Sequence, residues 1–114
     1  MSSNDKNLEY DEQALDRYLE SVIEQKTMSA EIRKKIFEAI SVERERQINK
    51  WGLQLHDDST WSLILGEEVG EVCKAIVDQL HTGKTSKTKE ELTQEIVQVA
   101  AVAVAWLECH EMTK

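Results

Sequence analysis

The sequence predicts an all-α fold, and three observations carry that prediction. Proline is absent from all 114 residues, so nothing in the chain forces a helix to break. Apolar residues recur at three- and four-residue steps through most of the length, the spacing of a single helix face. Strand signals are poor: no Asn-Gly or Asp-Gly turn occurs, and the one β-branched concentration falls inside an alanine-rich helical run. With 40% hydrophobic and 32% charged residues, the chain has material for one helical core and a heavily ionised remainder. The pattern reads as a bundle of four helices.

Residues 1–10 are polar and read as a frayed end. A first helix over 11–26 carries Leu15, Leu19, Val22 and Ile23, and its acidic opening suits the positive end of the helix dipole. After Thr27-Met28-Ser29, a second helix over 29–51 turns Ile32, Ile36, Phe37, Ala39 and Ile40 inward. Beyond Ile40 the same stripe continues as Glu43, Gln47 and Lys50 or Trp51, so this half is expected to face something polar. Gly52 ends the helix, and the following loop leads to an N-cap at Asp58 or Ser59. The third helix runs to about His81 and stops at Gly83. Lys84 to Lys87 form a polar linker, and Thr88 with Glu91 matches a capping box that opens a fourth helix reaching about Glu111.

In that last helix, Val99 to Leu107 is apolar on every side, which calls for burial on every side. Four helices cannot enclose one of their number, so a second subunit is expected to cover it, as a homodimer or homotetramer. Residues 1–28 form an acidic amino-terminal extension with one helix, and 29–114 the main helical domain.

Net charge is −8, and residues 1–25 hold seven acids against Lys6 and Arg17. Without a basic stripe the chain is a poor match for a nucleic-acid duplex. Small phosphorylated ligands fit if a divalent ion supplies positive charge. Cys73 and Cys109 form no zinc-type pair and read as reduced structural residues. No secretory signal is recognisable, and Val99–Leu107 is about half the ~20 residues of a membrane span; no membrane partner is expected, and the expected compartment is the cytoplasm.

The chemistry is expected where the apolar stripe fails. In the third helix it runs Trp61, Ile64, Leu65, then Val72, Ala75, Ile76, and Glu68 occupies the missing turn. A carboxylate is rarely buried without a cation beside it. Glu67, Glu68 and Glu71 share one surface by their three- and four-residue spacing, and Glu95 and Gln98 extend the packed side of the fourth helix. Antiparallel neighbours would bring three or four carboxylates together, a site for Mg²⁺ or Mn²⁺. Glutamates at this spacing are commonly a solvated face, but the interrupted stripe argues otherwise. Di-iron chemistry is disfavoured, because none of His56, His81 or His110 follows a glutamate as Glu-x-x-His.

The two glutamate stretches, Glu67-Glu68-Val-Gly-Glu71 and Glu95-Ile-Val-Gln98, resemble the EExxE and ExxD motifs of the all-α, MazG-like nucleoside triphosphate pyrophosphohydrolases. The segment from Glu43 to Gly52, with Gln54 and His56-Asp57, is similar to the ERxRQxxKWG entry of MazG-like proteins. The resemblance covers about residues 35–110. It implies a four-helix MazG-like bundle completed by homo-oligomerisation, cleaving a nucleoside triphosphate to the monophosphate and pyrophosphate. It also implies Glu68, Glu71 and Glu95 as Mg²⁺ ligands, with Glu67 a further ligand or the base that orients water. Gln98 departs from the family's usual Asp, which leaves a nucleotide-binding or helical interaction module without turnover as the alternative. Gln47 and Trp51 are placed to hydrogen-bond and stack a base, with a bundle-end core role the alternative for Trp51. Lys50, Lys84 and Lys87 are in reach of phosphates or are ordinary solvated lysines.

Overall fold

The computed structural model describes residues 2–84 and 87–114, with side chains from Asp11 onward. It is all-helical: α1 spans Ser2–Trp51, α2 Asp58–Thr82 and α3 Lys89–Met112, and no strand occurs among the described residues. The expected break at Thr27-Met28-Ser29 is absent, so three helices replace the predicted four. Neither proline nor glycine stands there, and the Thr27 hydroxyl donates to the Ile23 carbonyl at 3.0 Å. A polar side chain that bonds its own preceding turn is accommodated in a helix. Residues 2–10, expected as a frayed end, continue the same helix.

Two compact units divide the chain, Met1–Lys35 and Ile36–Lys114. The division falls inside α1, later than the composition-based boundary after residue 28. In the first unit every described side chain is exposed except Val22, which is half-buried. The second unit holds the rest of α1 together with α2 and α3.

Local chemistry sets the ends of these helices. Gly52 takes φ 75° and donates its amide to Ile48 at 2.7 Å, closing α1 in the left-handed conformation that glycine adopts without strain. The N-cap of α2 is Asp57, one residue before the expected position, and its carboxylate accepts from the Thr60 amide at 2.8 Å. Gly83, at φ 69°, closes α2 as expected. The capping box of α3 is present, with the Glu91 amide donating to the Thr88 hydroxyl at 3.1 Å and the Thr88 amide to the Glu91 carboxylate at 3.4 Å. Of the polar linker, residues 85 and 86 lie outside the described residues.

Helices α2 and α3 pack antiparallel, because the start of one meets the end of the other. Asp58 accepts from the Trp106 indole at 2.8 Å and pairs with His110 at 2.6 Å. Between them lies a core of Trp61, Val102, Ala105 and Cys109, with Ile64, Leu65 and Trp106 packed against it. The alanines of α3 permit this close approach; Ala101 is fully buried. The segment expected to be covered all round is covered on one side: Val99, Ala100, Ala103 and Val104 are half-buried and Leu107 is 65% exposed. By length and composition the whole of α3 meets the measure of a membrane span, which the shorter run alone does not. It nonetheless carries ion-paired Glu95 and Glu108.

Candidate functional site

The Ile36–Lys114 unit contains a cavity of about 310 Å³. From α1 come Glu43, Arg44, Arg46, Gln47 and Trp51, from the connection Gly52 and Gln54, from α2 Trp61, Ile64 and Glu68, and from α3 Gln98, Val102 and Ala105. The polar turn expected after Ile40 is therefore real, and it faces this space. The lining residues recur at helical steps on each helix, so the cavity is the place where the three apolar stripes turn polar together.

Among the described residues Glu43 is the most deeply placed charge, 3% exposed. The Arg46 guanidinium donates to it at 2.7 and 2.8 Å, and the Gln47 amide lies at 3.5 Å. The bonds from Arg46 hold its carboxyl below the usual carboxylate range against the opposing effect of burial. Arg44 donates to both oxygens of Glu108, at 3.0 and 2.7 Å, and to the Gln47 carbonyl at 2.7 Å. That fork ties α1 to α3 and holds the Glu108 carboxyl low. At the cavity wall, Trp51 has the Lys50 ammonium 4.8 Å and the Arg46 guanidinium 5.8 Å from its ring centre.

Glu68 behaves in the opposite sense. Burial, and then the charges of Glu71, Glu67, Glu95 and Glu43, push its carboxyl above the ordinary value. The structure thus brings the predicted glutamates of α2 and α3 within electrostatic reach of one another and adds Glu43 from α1. Glu67 and Glu71 are exposed, whereas Glu68 and Glu95 are half-buried. A cation is expected beside Glu68; the ammonium of Lys87 lies 2.5 Å from Glu95 instead. The other Glu95 oxygen is buried with no hydrogen-bond partner.

Among the described residues, no group of three or more acidic, histidine or cysteine side chains is arranged to hold a metal ion. The neighbouring carboxylates act on Glu68, but Glu95 is turned onto Lys87 and Glu43 onto Arg46. As a donor set, an all-oxygen cluster with one orphaned carboxylate oxygen and one carboxyl raised by burial and then by neighbouring charge fits a hard divalent cation.

Of the predicted substrate residues, Gln47, Trp51 and Gln98 line the cavity. Lys50 and Lys84 are exposed and stand outside its lining, and Lys87 is engaged with a carboxylate. Sequence reasoning missed the roles of Glu43, Arg44, Arg46 and Glu108. Glu43 had a signal, its place on the stripe Ile36, Ile40, Gln47. The Arg44–Glu108 fork joins positions 64 apart and had none. No family model, curated protein or solved structure matches the chain.

Proposed function

We propose that this protein is a MazG-like, Mg²⁺-dependent nucleoside triphosphate pyrophosphohydrolase, releasing pyrophosphate and the nucleoside monophosphate and assembled as a homodimer or homotetramer. The observation that carries the reading is one cavity that combines a carboxylate-crowded side at Glu68 with a side built from Gln47, Trp51 and Gln98. Its volume of about 310 Å³ falls at the lower end of small-molecule sites, which run from roughly 300 to 1,000 Å³.

The roles proposed for the carboxylates are those that the resemblance implies. Glu68, Glu71 and Glu95 would hold the cation, with Glu67 a further ligand or the group that orients the attacking water. Bound Mg²⁺ supplies charge neutralisation at the phosphates and lowers the pKa of coordinated water. The indole of Trp51 offers a face for a base, and the amides of Gln47 and Gln98 offer both donors and acceptors for its edge. Arg46, half-exposed beyond its bonds to Glu43, presents a guanidinium suited to phosphate oxygens.

A second reading has its own support. Gln98 brings no charge to the cavity and Glu95 already has a cation in Lys87, as suits a module that binds nucleotide without turnover. A panel of canonical and modified nucleoside triphosphates with Mg²⁺, assayed for pyrophosphate, separates the two. Release that disappears in Glu68→Gln while far-UV circular dichroism is unchanged supports the enzyme. If no triphosphate reacts and Glu71→Ala leaves nucleotide affinity unchanged, the proposal fails.

A further inference from the structure

The described surface of the Met1–Lys35 unit is not that of an inert solvated helix. Leu15, Tyr18, Leu19 and Ile23 are 54%, 64%, 48% and 64% exposed.

Charge along this stretch is segregated. Residues 11–24 hold five acids (Asp11, Glu12, Asp16, Glu20, Glu24) against Arg17, and residues 26–35 hold four bases (Lys26, Arg33, Lys34, Lys35) against Glu31. The segment therefore contains its own electrostatic complement, reachable only by turning a second copy end for end. Side-by-side parallel copies would superpose like charges.

Positions 11, 15, 18, 22, 26, 29 and 33 of α1 fall within an arc of about 80° at about 100° per residue, and their steps of four, three, four, four, three, four read the same in both directions from Val22. We propose that residues 11–33 form an antiparallel two-helix interface between two copies of this chain, with the two-fold axis at Val22. In that register Val22 meets Val22 and Leu15 meets Ser29 of the second copy, with Leu19 and Ile23 flanking the seam on one side. Tyr18 lies against Lys26, and Asp11 against Arg33. The interface is independent of the cavity and of the proposed activity.

Single cysteines in the full-length chain test this. The exposed Cys73 is replaced by serine, and buried Cys109 is left in place. Under mild oxidation at micromolar concentration, Val22→Cys is expected to give a covalent dimer as the major species on a non-reducing gel. Asp11→Cys and Arg33→Cys are each expected to stay uncrosslinked alone and to crosslink when mixed. Arg33→Glu should lower the Val22→Cys yield at least tenfold, and adding Asp11→Arg should restore it. Self-crosslinking of Asp11→Cys would mean a parallel pair and overturn the proposal. So would failure of Val22→Cys to crosslink, whether light scattering shows the sample to be monomeric or oligomeric, since the assembly would then be absent or lie elsewhere.

Discussion

Glu108→Ala tests whether the Arg44 fork holds α1 against α3. Arg44 is 12% exposed and Glu108 35%, so the substitution strands a largely covered guanidinium with Gln47 as its remaining acceptor. Breaking a fully buried pair costs about 3–5 kcal/mol. Partial exposure of Glu108 admits water, which brings the expected loss down to about 1.5–3 kcal/mol. Urea unfolding followed by far-UV circular dichroism, at fixed protein concentration because assembly also stabilises, gives the value. Arg44→Met with Glu108→Leu removes both charges and should cost less than the two single changes together, with a coupling of about 1–2 kcal/mol. The pH dependence has a definite sign. Arg44 lowers the Glu108 carboxyl below its usual 4.5, so the pair contributes fully above that value and loses its contribution as pH falls through the lower folded value. A coupling under about 0.5 kcal/mol at pH 7, or a penalty that does not shrink on acidification, would refute the argument.

Three other expectations follow from the same geometry. Trp61 is 3% exposed and its indole N–H has no partner, so Trp61→Ala should cost about 3–5 kcal/mol, while Trp61→Phe, which also removes the stranded donor, should fall within about 1 kcal/mol of the parent; chemical denaturation read by circular dichroism distinguishes them. Glu68→Gln should stabilise the protein at pH 7 without divalent ions, because a raised carboxyl penalises folding once ionised; the gain should vanish below pH 4.5, the ordinary value, as seen in melting temperatures across pH. Ser29→Pro should interrupt α1, costing about 3 kcal/mol of helix, and open a tryptic cut at Lys26 that the parent resists.

What the sequence revealed and what it hid divide along physical lines. Helix ends were legible wherever a single residue decides them: Gly52 and Gly83 by backbone freedom, Thr88 with Glu91 by reciprocal bonds. The false break at Thr27-Met28-Ser29 arose because threonine and serine favour caps, yet each also tolerates a helix interior when its hydroxyl bonds the previous turn. The lapse of the apolar stripe falls at Glu68, which is half-buried and lines the cavity, since periodicity reports which face is covered. It could not report which cation answers which anion. Lys87 on Glu95 and Arg44 on Glu108 join separate elements, choices of rotamer and helix separation that spacing along one helix does not encode; Arg46 on Glu43 is a three-residue step within α1, which spacing permits but does not single out.

The chamber beside Glu68 is walled almost wholly by rods, with only Gly52 and Gln54 drawn from a connection. Lengthening or shortening the turn between α2 and α3 would leave its outline intact. Inserting one residue ahead of Gln98 within α3 would swing Gln98, Val102 and Ala105 by about 100° together, exchanging an entire wall at a stroke. Selectivity for whatever enters is thus written one side chain at a time, and variants with altered preference are to be sought by point substitution along the three rods.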